Sequence, residues 1–479
     1  MDSKRVVNNS IALFLMDISS KIVPLVTFPW ILRALGPETY GKVGFAAAVA
    51  GFFGLLAAPG FRVYGVREAA RGAEPPRTLA QKLMSARILL ALCSFVLLIL
   101  FTFTAAPKDH ATRILLLITG TGFLISSLDV QWLYMGHSNM WRVSLVTMLG
   151  QLVYMAMILS LVHRPTDAWL VPVATSISAL ISAAILLNRA RKHFNLGLPK
   201  YLPEAWAKIL PVCATLGFAS MMSMIYDQID TVMLRYMRSE NEVGVYVASY
   251  ALMGMSMSFL SVIATVFFPL FSGAATKDVV QDRRYAQWMA NSSIALALPI
   301  AAGGFLLASP ICKLVMGARY SGADHLFRWL TLNLLSASAA VLFSSRLIPN
   351  NRERKYLASV AAGAATNVVF NLIFIPRYGA IAAVFTTIAA QTAVAAMSFY
   401  FTRDLLRPSF GRPFAVSSLA CAAMVGAIVI VQRVADINVV ILIAGGAIVY
   451  GSAMLALQSL WKQFMPTTEA AVAVQGGAE

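Results

Sequence analysis

A chain of 479 residues that is 59% hydrophobic and only 12% charged does not have the composition of a soluble globular protein, whose charged share is about 25%. It reads as an all-α, polytopic membrane protein. Its net charge of +17 belongs to loop residues that set orientation and attract anionic lipid headgroups; nucleic acid is excluded as a partner, because no segment between the apolar runs is long enough to fold. Runs of about 20 apolar residues, the length that crosses a bilayer core, lie near 10–33, 42–64, 83–105, 113–135, 142–162, 168–188, 209–234, 243–270, 288–310, 326–346, 357–375, 380–402, 414–433 and 438–461.

The first run carries two charges, Asp17 and Lys21. A helix opening near Ser10 and rising 1.5 Å per residue brings Lys21 about 16 Å into a core about 30 Å thick, close to its middle. Asp17 lies one turn earlier on the same face, in the order that favours an acid–base pair. A charge at that depth costs about 2.5–3.5 kcal/mol and normally faces a bundle interior or a watery cavity. The pair is either a substrate-binding element or an ion pair that fastens the helix to its neighbours. The run is expected to stay as a helix and not to be cleaved as a signal, because it is charged, continues to Trp30 and lacks a small-residue cleavage site.

Gly36 followed by Pro37 predicts the stop of the first helix. The second run, rich in glycine, ends at Arg62, Arg67 and Arg71. Arg67 and Arg71 read as interface anchors, whereas Arg62, deeper in the run, reads as a cavity cation. The fourth run ends in SLDVQWLYMG (127–136), with Asp129 either binding a coupling ion or capping the turn and pairing with Arg142. A basic linker holding Pro199 and Pro203 follows the sixth run and marks a boundary between halves.

The seventh run repeats the opening in outline. Leu234, Arg235 and Glu240 align with Leu32, Arg33 and Glu38, and one insertion later Gly244 aligns with Gly41. Such weak self-similarity is the mark of repeat-built transporters. Asp227 and Asp230 are three apart, on one helix face, and two neighbouring carboxylates raise each other's proton affinity. They are candidates for binding a proton or sodium, or else form a solvated helix end. Asn367 and Asn371 make an i,i+4 amide pair suited to interhelical hydrogen bonding. Cys93, Cys213, Cys312 and Cys421 lack CxxC spacing, and the five histidines are scattered; neither a disulfide framework nor a metal site or other cofactor is expected.

With the N-terminus inside, 24 of the 38 Lys and Arg residues fall in cytoplasmic segments and 12 on the other side. This bias predicts both termini in the cytoplasm.

Several segments, taken in order, carry a family resemblance: Asn8, Asn9 and Ser10; RALGPETYG (33–41); GVREAA (65–70); QWLYMG (131–136); Asp230 with VGVY (243–246); and PRYGA (376–380). The chain resembles the O-antigen-type polysaccharide flippases of the multidrug/oligosaccharidyl-lipid/polysaccharide exporter superfamily. The resemblance implies two pseudo-symmetric six-helix lobes around a central cavity plus two peripheral C-terminal helices. On this sequence they fall at 1–190, a cytoplasmic linker at 191–208, 209–403, helices at 404–461 and a tail at 462–479. It further implies ion-coupled transfer of an undecaprenyl-diphosphate-linked oligosaccharide across a bacterial inner membrane for surface polysaccharide synthesis, alongside a polymerase and assembly proteins. Lys21 and Arg62, with Asp17, would meet the diphosphate; Asp227, Asp230 and Asp129 would couple transport to a proton or sodium. A multidrug or cation antiporter of the same superfamily would share the fold but should prefer an acidic or aromatic cavity. A membrane polymerase or ligase would need an outer catalytic domain, which the short loops do not provide.

Overall fold

The computed structural model describes residues 3–137, 139–274, 279–405, 410–435 and 437–457, with the side chains of 3–21, 219, 268–269, 272–274, 279–280 and 412 excepted. The predicted tail at 462–479 lies outside the described residues. The described chain is helical: α1 Ser3–Ala57, α2 Phe61–Arg71, α3 Pro76–Thr104, α4 His110–Ser126, α5 Gln131–Gly136, α6 Met140–Leu161, α7 Leu170–Phe194, α8 Pro203–Met237, α9 Glu240–Ala274, α10 Val279–Leu306, α11 Ala308–Met316, α12 Ala323–Leu330, α13 Asn333–Ser344, α14 Glu353–Tyr378, α15 Ala380–Thr402, α16 Gly411–Val434 and α17 Val439–Ala456.

Twelve helices among the described residues are long and apolar enough to cross a bilayer, and thirteen when Pro203–Phe218 and Ser220–Met237, bent by 47°, count as one span. The first, Ile22–Arg71, has 50 residues, about 75 Å of helix against a core of about 30 Å. It must cross more than once, and the break is at Gly36, whose φ of 74° and ψ of 167° lie in a region that only glycine adopts without strain. The two predicted spans on either side of the Gly-Pro step are therefore one kinked element. The second of them stops earlier than expected. The helix ends at Ala57, Gly60 takes a φ of 64°, and α2 starts anew at Phe61.

The chain divides into two compact units, Met1–Val247 with Val315–Arg319, and Ala248–Leu314 with Tyr320–Glu479. In the first, α1 packs on α3, α4, α6 and α8, and the short α2 packs on α5. One apolar core gathers Phe61, Leu83, Trp132, Leu133, Tyr134 and Leu186; a second gathers Phe45, Leu98, Leu116 and Phe123. In the second unit, α13 and α14 pack on α15, and α10 on α13. The pair α16–α17 packs on α10 through Leu307, Met424, Ile428 and Leu442.

Candidate functional site

Asp17 and Lys21 lie on α1, on the N-terminal side of the Gly36 kink; their side chains lie outside the described residues. Arg62 occupies the first turn of α2 and is exposed. The expectation that it continues the second span inward is corrected by the break at Gly60: Arg62 opens a separate short helix, with Nη2 3.7 Å from the Met135 sulfur of α5. The start of this helix is held tightly, since a Cβ on Gly217 of α8 would lie 2.7 Å from the Pro59 side chain.

Asp129 sits in the four-residue gap between α4 and α5. Its Oδ1 accepts the Gln131 backbone N–H at 2.9 Å, capping α5. The buried Arg87 of α3 reaches into the same gap and donates to the Asp129 carbonyl at 2.7 Å and to the Ser126 carbonyl. The last carbonyls of a helix carry partial negative charge and lack intrahelical partners, so a guanidinium there satisfies both needs. Charge counting includes Arg87 only as one of the cytoplasmic-side cations; the structure shows it to be 7% exposed, held inside the protein. Asp129 is thus occupied as a cap, and Arg62 and Asp129 belong to one neighbourhood, the packed pair α2–α5.

Asp227 and Asp230 lie elsewhere. Asp230 is thirteen residues beyond Gly217 on α8, about 20 Å along the helix. It is 1% exposed and accepts a hydrogen bond from the Tyr246 hydroxyl of α9 at 2.7 Å. The alternative of a solvated helix end is excluded for Asp230; Asp227, one turn earlier, is half-buried.

Beyond Asp230, where α8 gives way to α9, the structure assembles a charge network that sequence reading misses. Lys42 Nζ lies 3.0 Å from Glu240, 3.4 Å from Asp109 and 3.9 Å from Glu38, and Arg235 also pairs with Glu240. The helices cross closely at this point: a Cβ on Gly41 would overlap the Glu240 carbonyl oxygen and lie 2.8 Å from the Gly244 nitrogen, and one on Gly244 would fall on the Pro37 carbonyl oxygen. The glycines aligned by the internal repeat meet each other. In the second unit, Arg346 is fully buried, pairs with Asp282 of α10 and lies 5.5 Å from the centre of the Phe271 ring. Asn371 donates to Asn367 at 2.9 Å and accepts from Thr386, joining α14 to α15.

Residues 6–275, more than half of the chain, match the family described as polysaccharide biosynthesis protein. The chain belongs to that family. Among its relatives, a candidate O-antigen transporter of Shigella dysenteriae is 23% identical over 392 residues, covering 78% of this chain and 93% of the relative. One of Escherichia coli K12 is 20% identical over 407 residues, covering 83% and 96%. Among solved structures, the lipid II flippase MurJ in an inward closed conformation superposes with a TM-score of 0.69 at 17% identity, over 95% of this chain and 99% of MurJ. A multidrug resistance MATE family transporter of the MOP superfamily, inward-facing, gives 0.63 at 15% identity, over 80% and 94%. This member of the polysaccharide biosynthesis family therefore has the fold shared by MurJ and MATE transporters.

Proposed function

We propose that the protein is a flippase that carries an undecaprenyl-diphosphate-linked oligosaccharide across the bacterial inner membrane by ion-coupled alternating access, and that it is not an enzyme. One observation carries this reading. The family match is to polysaccharide biosynthesis, and the proteins that share the fold over nearly the whole chain include a lipid flippase, MurJ. In chemical terms, a diphosphate must leave water to cross, and cationic side chains in a low-dielectric cavity replace its hydration through charge-assisted hydrogen bonds. Lys21 on α1 and Arg62 on α2 are assigned that task, with Asp17 neutralising Lys21 when no substrate is bound. The lipid tail stays in the bilayer throughout.

The coupling ion is assigned to Asp230, with Asp227 beside it. The burial of Asp230 under the Tyr246 hydroxyl supports a carboxylate that exchanges a proton or sodium out of bulk water. Asp129 is a weaker candidate, since its carboxylate already caps α5. Both termini and the linker at 191–208 are placed in the cytoplasm on the charge bias, and the two six-helix lobes follow the repeat. The multidrug antiporter is the second reading, supported by the MATE likeness.

The test is transport by purified protein in proteoliposomes. A fluorescent undecaprenyl-diphosphate oligosaccharide should become accessible in the opposite leaflet, with stimulation by a proton or sodium gradient. Uptake of organic cations without lipid-sugar transfer would replace the proposal with the antiporter.

A further inference from the structure

Helix α7 ends at Phe194 and α8 begins at Pro203, both belonging to segments long and apolar enough to span a bilayer. The eight residues between them have no regular structure and join two candidate spans. They do not hang free: Gln81 of α3 donates to the Leu198 carbonyl at 3.1 Å, Tyr201 packs edge-on against Trp206, and Trp206 donates to Ser85 Oγ at 3.0 Å. Held in this way, with Leu196 and Leu202 packed against the apolar core of the first unit, the segment turns Leu198 and Tyr201 outward. Leu198 is 73% exposed and Tyr201 77%. In the flanking sequence Arg189, Arg191, Lys192 and Lys200 are all exposed, and Glu204 is the one acid from 189 to 208.

We propose that this fixed connection is a docking surface for an anionic phospholipid headgroup layer. Leu198 and Tyr201 insert at the headgroup and upper acyl level, and the four cations close on lipid phosphates around them. Apolar and aromatic tips ringed by long basic side chains are suited to that boundary, where the tips leave water and the charged heads stay hydrated. The excess positive charge selects an anionic layer over a zwitterionic one. The inference goes beyond the transport function and stands whether or not the chain moves a lipid-linked sugar.

The experiment uses the full chain with Cys93→Ser, the other three cysteines being buried, and a bimane label at Leu198→Cys. In vesicles containing phosphatidylglycerol, lipids with a headgroup-level nitroxide should quench the label at least about twofold more than in phosphatidylcholine alone, and 1 M salt should reduce the difference. Arg189→Gln/Arg191→Gln/Lys192→Gln/Lys200→Gln should bring quenching in the anionic vesicles down to the phosphatidylcholine level. Equal quenching in the two vesicle types overturns the proposal, and that comparison needs no charge variant to fold. A label equally open to aqueous iodide in both vesicle types overturns it as well. So does quenching that appears only when undecaprenyl diphosphate is added, which would assign the surface to that lipid.

Discussion

A cation in or just beyond an apolar helix persists because something compensates it, and the identity of that compensation separates Lys21 from Arg346. For Lys21 the proposed partner is a substrate phosphate. Lys21→Arg should keep part of the transport, while Lys21→Gln should reduce it roughly tenfold or more, the loss expected for one charge-assisted hydrogen bond. Flipping assays on variants matched for expression check this. Normal flipping by Asp17→Asn/Lys21→Gln would show that the pair only fastens α1. For Arg346 the compensation is internal. Arg346→Met should destabilise the protein by about 3–5 kcal/mol by stranding the Asp282 charge, and Arg346→Met/Asp282→Leu should recover most of it; unfolding in detergent provides the comparison. Lys21 is legible in the sequence because it interrupts an apolar run. Arg346 and Arg87 are not, since they stand at the ends of runs where the default reading is an interface anchor. Their burial depends on partners far along the chain, 42 residues away for the Asp129 carbonyl.

One surface pair also titrates. Arg352 holds both oxygens of Asp404, at 2.8 and 2.6 Å, and the hydrogen bonds from Arg352 pull the Asp404 carboxyl down to about 2. A carboxyl depressed in the folded state stabilises above its unfolded value near 4 and loses that contribution as pH falls towards 2. The melting temperature of Asp404→Asn should therefore change less than that of the parent between pH 5 and pH 3. Parallel melting curves would reveal this, and identical slopes would remove the pair from the stability balance.

At the scale of elements, the breaks matter more than the helices. Gly36 was legible from the Gly-Pro step, and the structure adds its left-handed φ. The second break, at Pro59–Gly60, escapes a reading based on apolar runs, because window averages carry hydropathy straight across a three-residue gap. The gap between α4 and α5 escapes for the same reason. It depends on Arg87, and Arg87→Met should cost about 1–3 kcal/mol by removing the guanidinium from the Asp129 carbonyl and leaving the Ser126 carbonyl with the Asp129 N–H alone. Arg87→Lys should recover only part of that cost, since an ammonium cannot reproduce the guanidinium fork. The crossing of α1 and α9 is more demanding. Gly244→Ala should destabilise by at least about 1–3 kcal/mol through overpacking against backbone, read as a lower melting temperature in detergent.

For the whole molecule, composition alone establishes a many-helix membrane protein, and the ordered motifs establish the family. The packing of α8 with the first unit was not legible, because the charged linker looks like the natural boundary whereas compactness carries through to Val247. The Lys/Arg bias predicts a cytoplasmic linker. A cysteine at Lys200 should react with a membrane-impermeant maleimide in inverted vesicles and not in intact spheroplasts; labelling in spheroplasts would reverse the topology.

The meeting of Gly41 and Gly244 also bears on how the sequence can vary. When a core contact is made by side chains, an enlargement on one side can be relieved by a reduction on the other, and such positions drift as correlated pairs. Here each missing Cβ is opposed chiefly by backbone atoms of Pro37, Glu240 and Gly244 itself, which no substitution removes. Neither position has a smaller residue to retreat to. Aligned homologues should then show both positions as glycine together, without covariation at any neighbouring site, and should lose the pair only where the helix crossing itself has been rebuilt.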